Sequence, residues 1–179
     1  MGENIYLCGL IGSGKTALGE RLAKALDRPF FDLDREMDRR LGRSFHALVQ
    51  EQGWLAFREV EYELCSRFAS VKRSVIALGG GTVRYAWNRD ILRGSGFTIL
   101  LEADLAVLAE RVRRADRPRV NQGVSLEEDL RTIWATSGHR YREAADLVYR
   151  TDTGKCLDDE VAELLALIAP WEAGGKDRS

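Results

Sequence analysis

Residues 4–8 read Asn-Ile-Tyr-Leu-Cys, and residues 9–16 follow as Gly9-Leu10-Ile11-Gly12-Ser13-Gly14-Lys15-Thr16. The first five residues read as a β-prone run. The next eight match G-x-x-x-x-G-K-[ST]. Beyond them Leu18, Leu22 and Leu26 recur at helical spacing, so a helix is expected over Lys15–Leu26. A strand, a glycine-rich turn and a helix in this order form a phosphate cradle: glycines turn backbone N–H groups inward and the helix N-terminus adds partial positive charge. Lys15 is expected on the β- and γ-phosphates and Thr16 on Mg²⁺. The bland alternative is a glycine-rich turn with a chance Lys-Thr.

Outward from this loop the pattern repeats. Short apolar runs at Phe30–Leu33, Ser74–Leu78, Phe97–Leu101 and Leu147–Tyr149 alternate with helical segments. The helices are expected at about Arg35–Leu41, Ser44–Gln52, Trp54–Ala69, Trp87–Leu92, Asp104–Ala115 and Leu157–Ile168, with another opening at Ser125. Ser125 and Glu128 have capping-box spacing. Asp116–Val124 reads as a loop and Glu172–Ser179 as a frayed tail. This alternation implies an α/β fold, a five-stranded parallel sheet with helices on both faces. Ligands on such sheets bind at the carboxyl ends of the strands.

The chain has 179 residues and suits one domain. Its net charge of −1 argues against a general nucleic-acid binder. Its apolar runs, such as Val75–Leu78, are far below the roughly 20 residues of a membrane-spanning helix. No signal-peptide pattern opens the sequence, and Tyr6 breaks the myristoylation pattern. Cys8, Cys65 and Cys156 form no CxxC pair and are expected as structural thiols in a reducing cytoplasm. Two isolated histidines, His46 and His139, make a zinc site improbable.

Further residues carry chemistry. Asp32 and Asp34 end the second strand, and strand alternation would point both carboxylates at the loop. One could hold Mg²⁺ and the other accept a hydroxyl proton, or Asp34 could be a helix cap beside one solvated acid. Arg58 has the fork that binds carboxylates. Gly79-Gly80-Gly81 leaves backbone N–H groups open to a ligand, unless it is only a flexible turn. Arg111, Arg113, Arg114, Arg117 and Arg119 are crowded together. They read as a nucleic-acid patch, a solvated basic face, or a lid over triphosphate, and the phosphate loop favours the lid. The absence of an NKxD motif and the short chain favour a small kinase.

The ordered set GLIGSGKT at 9–16, DLD at 32–34, FR at 57–58, GGG at 79–81, DRP at 116–118, YREAAD at 141–146 and RTD at 150–152 resembles the shikimate kinase family over about residues 4–168. The resemblance implies a P-loop kinase domain over 1–170, with a substrate-binding helical insert at about 33–61 and a lid at about 112–124. It implies transfer of the ATP γ-phosphoryl group to the 3-hydroxyl of shikimate, with Mg²⁺, in aromatic amino-acid biosynthesis. Gly12, Ser13, Gly14, Lys15, Thr16 and Ala17 would hold the nucleotide, with Arg117 on its phosphates and Arg111 or Arg113 against adenine. Thr16 and Asp32 would hold the metal. Asp34, Arg58, Gly80 and Gly81 would bind shikimate, and Lys15, Asp34 and Arg117 would be catalytic. A cytoplasmic monomer that binds neither nucleic acid nor membrane is expected.

Three departures accompany the resemblance. Ser137 stands where the family usually has a substrate-binding arginine, and Arg140, one helical turn on, is expected to take over in part. Ala17 replaces a usual Ser or Thr, leaving only its backbone N–H. Arg119-Val120 changes the usual lid sequence. Ser137 keeps open a kinase for another hydroxylated acid, such as gluconate, or a non-catalytic ATP-binding homologue.

Overall fold

The computed structural model describes residues 3–114 and 123–174. Arg117, Arg119, the DRP stretch and most of the expected lid lie outside the described residues. Five strands, β1 (Asn4–Cys8), β2 (Phe30–Asp32), β3 (Val75–Ala77), β4 (Gly96–Glu102) and β5 (Leu147–Arg150), pair in parallel in the order β2-β3-β1-β4-β5. The central strand β1 registers Ile5 against Val75 on one side and Phe97 on the other. Every residue of β1 is buried, as a strand covered on both faces requires.

Helices α1 (Lys15–Ala25) and α7 (Leu157–Gly174) cover one face, where Leu18, Leu22, Val161 and Leu164 meet Ile5, Leu7 and Ile99. The other face carries α2 (Leu33–Leu41), α3 (Phe45–Ser70), α4 (Ala86–Leu92), α5 (Leu105–Arg114) and α6 (Leu126–Glu143). Its core joins Tyr6, Cys8, Ile76 and Leu100 to Met37, Leu64, Phe68, Leu108 and Tyr141. Asn4 is the polar pin of this arrangement. Its buried amide donates to the carbonyl oxygens of Phe68 at 3.0 Å and Val71 at 2.8 Å, and its Oδ1 accepts from Ser74 N–H at 3.1 Å. It therefore satisfies the end of α3 and the entry to β3, which buried backbone groups demand.

Three boundaries differ from the sequence expectation, each for a local reason. β2 stops at Asp32, whose carboxylate accepts from the N–H groups of Asp34 (3.1 Å) and Arg35 (3.2 Å) and caps α2. Asp34 is thus a first-turn helical residue, and strand alternation does not relate it to Asp32. The helices expected on either side of Gly53 form α3, broken at that glycine by φ 81° and ψ 179°. Finally, α7 runs past Ile168 to Gly174, so residues 172–174, expected in a frayed tail, belong to its last turn. Trp171 packs on Phe97 with ring centroids 4.8 Å apart, and Arg28 pairs with Glu172 at 2.6 Å. The Ser125 cap is present, accepting from Glu128 N–H at 3.2 Å.

No helix among the described residues is long and apolar enough to cross a membrane. Cys8 and Cys65 are buried, whereas Cys156 is exposed and so is not a packed structural thiol. Burial pushes the Cys8 thiol up to about 12, against the pull of Lys15, which keeps it protonated beneath the loop.

Candidate active site

All five strands point the same way, so the loops after β1, β2, β3, β4 and β5 meet on one edge of the sheet. The first is the glycine-rich loop. Gly12 has φ +83°, and a side chain there would sit 2.9 Å from the Leu108 carbonyl oxygen, so only glycine fits. Ser13 is fully buried. Lys15 Nζ donates to the carbonyl oxygens of Gly9 and Leu10, both at 2.9 Å. Its ammonium therefore curls over the loop's own mouth, where phosphate oxygens would compete for it. Ala17, next in α1, is exposed.

Thr16 Oγ1 donates to Asp32 Oδ2 at 2.7 Å. The other Asp32 oxygen is occupied by the α2 cap, so its carboxylate is fixed in both directions. Among the described residues no three His, Cys, Asp or Glu side chains group as a metal cage. A hydroxyl beside one carboxylate suits Mg²⁺, which takes few protein ligands and fills its shell with water and phosphate oxygens.

Asp34 faces the glycine triplet. A β-carbon at Gly79 would lie 3.0 Å from Asp34 Oδ1 and 3.4 Å from Glu61 Oε1. Burial pushes the Asp34 carboxyl up to about 6; the neighbouring acids Asp32, Glu61 and Asp38 reinforce this and Lys15 opposes it. Such a carboxyl titrates near neutral pH, the range in which a general base is most effective.

Arg58 comes from α3, on the other wall. Its Nη1 pairs with Glu61 Oε2 at 2.6 Å, one helical turn away. The guanidinium also lies 4.4 Å from the ring centroid of Tyr85, 4.7 Å from Phe57 and 5.2 Å from Trp54. An aromatic cage of this kind holds a guanidinium plane in place. Gly81 touches this group: a β-carbon there would be 3.3 Å from Arg58 Nη2. Gly80 is tied to α6 by the Tyr141 hydroxyl, which donates to its carbonyl oxygen at 2.6 Å.

The arginines of the expected lid helix separate. Arg111 donates to Thr151 Oγ1 at 2.9 Å, to the Thr151 carbonyl oxygen at 2.5 Å and to that of Gly12 at 3.4 Å. It thus bridges the phosphate loop and the loop after β5. Arg113 and Arg114 instead pair with Glu110, and Arg113 also with Glu127. Their charge is matched by acids, which weakens the nucleic-acid reading of the arginine run. Arg140 lies on the turn after the triplet. It is exposed and donates to the backbone carbonyl oxygen of Arg84 at 3.0 Å. Ser137 is buried in α6, with its hydroxyl 3.4 Å from that of Thr136.

Two residues of this edge are absent from the sequence reading. Glu61 is fully buried and gathers Arg58, Thr82 and Asn88; its spacing from Arg58 on one helix was the available signal. Arg84 ends the short 3₁₀ turn Thr82–Arg84 after the triplet, and nothing in its sequence neighbourhood marks it.

A model of the shikimate kinase family matches residues 11–168. The chain belongs to the shikimate kinase family. It is 39% identical over 165 residues to a shikimate kinase of Symbiobacterium thermophilum, covering 90% of this chain and 94% of that one. It is 36% identical to a bifunctional shikimate kinase/3-dehydroquinate synthase of Thermotoga maritima, covering 92% of this chain but only 32% of that longer protein. A structure of the Acinetobacter baumannii shikimate kinase in complex with shikimate superposes with a TM-score of 0.87 at 30% identity, covering 95% of each chain. A gluconokinase structure from Sinorhizobium meliloti, at 21% identity and a TM-score of 0.59, shares the fold alone. As a member of this kinase family, the chain is an ATP-dependent phosphotransferase.

Proposed function

We propose that the chain transfers the γ-phosphoryl group of ATP to the 3-hydroxyl of shikimate. The observation that carries this reading is the pairing of two half-sites on one sheet edge. Lys15, Thr16 and Asp32 form a phosphate and metal side, and Asp34, Arg58 and the glycine triplet form an acid-binding and hydroxyl-binding side.

Each residue then has a task. The N–H groups of residues 12–17 cradle the phosphates, and Lys15 leaves its loop carbonyls for the β- and γ-oxygens. Thr16 and Asp32 hold Mg²⁺, which neutralises phosphate charge when bound. Arg58 fixes the carboxylate of the acceptor, and Gly80 and Gly81 admit its ring close to the backbone. Asp34 accepts the proton of the attacking hydroxyl as the new O–P bond forms and the bond to ADP breaks. Arg111 and the loop after Thr151 flank the adenine. Arg117 is assigned to the phosphates on its place in the DRP motif alone.

ADP release in the presence of Mg·ATP, measured with shikimate, quinate and gluconate in turn, tests the acceptor. Stimulation by shikimate alone is expected; stimulation by gluconate or quinate instead, or by none, rejects this reading. The metal assignment has its own test. Thr16→Val keeps the shape and leaves the Asp32 cap intact, and is expected to raise the Mg²⁺ concentration for half-maximal activity about 10- to 100-fold. An unchanged Mg²⁺ requirement would remove Thr16 from the metal site.

A further inference from the structure

Beside the triplet lies a second guanidinium, that of Arg84, without a partner among the described residues. Arg84 Nε is buried and makes no hydrogen bond. Its guanidinium has no hydrogen-bond or ion-pair partner among the described residues. Arg58 Nε is in the same state, although Arg58 Nη1 is held by Glu61. Both side chains flank one glycine: a β-carbon at Gly81 would lie 3.3 Å from Arg58 Nη2 and 3.7 Å from Arg84 Cδ. Both also act electrostatically on the Tyr141 hydroxyl, which is bonded to Gly80.

Among the described residues the nearby carboxylate is committed elsewhere. Glu61 accepts from Thr82 at Oε1 and from Arg58 and Asn88 at Oε2, and makes no ion pair with Arg84. A buried cationic donor without an acceptor is costly. The position is nevertheless held firmly. Arg84 N–H donates to the Gly81 carbonyl oxygen at 3.1 Å, and Arg140 holds the Arg84 carbonyl from outside at 3.0 Å. An unpartnered donor kept in place by its surroundings marks a ligand position.

We propose that Arg84 is a substrate-binding residue that joins Arg58 on the carboxylate of the acceptor and makes the site select acids over neutral polyols. An ionised carboxylate offers about four acceptor positions, enough for two guanidinium forks. This assignment rests on the acceptor reading above. It also gives Arg140 an indirect part, as the residue that steadies the Arg84 turn.

The test compares shikimate with its neutral methyl ester at saturating Mg·ATP, using the full chain. The wild type is expected to prefer the acid. Arg84→Gln is expected to raise KM for shikimate about 10- to 100-fold, to leave KM for ATP unchanged, and to leave the ester's kcat/KM nearly unchanged, so that the preference collapses. Arg84→Lys keeps the charge without the fork and should fall between the two, even if the glutamine variant folds poorly. Wild-type turnover with an unchanged acid-to-ester ratio in Arg84→Gln and Arg84→Lys overturns the Arg84 assignment alone. A wild-type chain that neither turns over nor binds shikimate by calorimetry overturns the acceptor reading and this assignment together.

Discussion

Asp34→Asn is expected to lower kcat by about 10²–10⁴, the usual worth of a positioned general base, while making the protein more stable at neutral pH. The two effects share one cause. Asp34 is half-buried beside Asp32 and Glu61, and its carboxyl is pushed up to about 6 from an ordinary value of 3.8. Between those two values the folded chain holds a proton that the unfolded chain has released. Stability is therefore lost as pH rises through this window, and at pH 7 the ionised carboxylate costs on the order of 1–3 kcal/mol. Asparagine removes that charge. The variant should melt higher at pH 7, by about 2–4 °C for each kcal/mol, and the gain should shrink to a small remainder near pH 4, where the folded carboxyl is protonated and the unfolded one is about half so. Wild-type kcat should fall as pH drops below about 6, because the base is then protonated. Thermal melts of both proteins from pH 4 to 8, with a kcat profile, check all three statements. A variant that melts lower than wild type at pH 7 would show that Asp34 is not a strained carboxylate.

The sequence displays the phosphate side of this site more fully than the acceptor side, for a physical reason. A phosphate cradle is a local object: one loop and one helix start supply its donors, so Gly12 to Thr16 can be read from consecutive residues. The order of strands and helices is legible in the same way, since Ile5-Tyr6-Leu7 and Val75-Ile76-Ala77 are short apolar runs at predictable spacing. The acceptor side is assembled from α2, α3, the turn after β3, and α6, and its contacts cross the chain. Spacing alone misplaces Asp34 on a strand, because it cannot show that Asp32 caps α2. It suggests Arg140 as a substitute near Ser137, because a helical turn is all it can count. Folding lays Arg140 on the Arg84 backbone and places Arg84 itself beside Gly81, neither of which a helical turn can show. Glu61 shows the same limit. Its distance from Arg58 is visible along one helix, but its reach to Thr82 and Asn88 depends on α3 packing against the triplet turn and α4.

Glu61 carries the second large effect. Its side chain is 1% exposed and accepts from Arg58 Nη1 at 2.6 Å, Thr82 Oγ1 at 2.8 Å and Asn88 Nδ2 at 3.0 Å. Glu61→Leu leaves Arg58 charged and nearly buried, leaves the Thr82 hydroxyl without its acceptor, and leaves the Asn88 amide only the Thr82 carbonyl oxygen. Breaking a buried pair from one side typically costs about 3–5 kcal/mol, so Tm should fall by about 6–20 °C for a chain of this size. Glu61→Gln keeps an amide oxygen for two of the donors but cannot neutralise Arg58, and its loss should be smaller, about 1–3 kcal/mol. Because Glu61 acts through Arg58, the glutamine variant should raise KM for shikimate more than it lowers kcat, and should leave KM for ATP in place. A positioning residue gives that split, whereas general loosening of the fold would move all three. The aromatic cage is the competing source of support. Trp54, Phe57 and Tyr85 already surround the Arg58 guanidinium, and cation–π contacts of this kind are worth roughly 0.5–2 kcal/mol, less than the desolvation cost of an unpaired guanidinium. If Glu61→Leu melts within a few degrees of wild type, that ordering is reversed and the rings, rather than the carboxylate, carry the charge of Arg58.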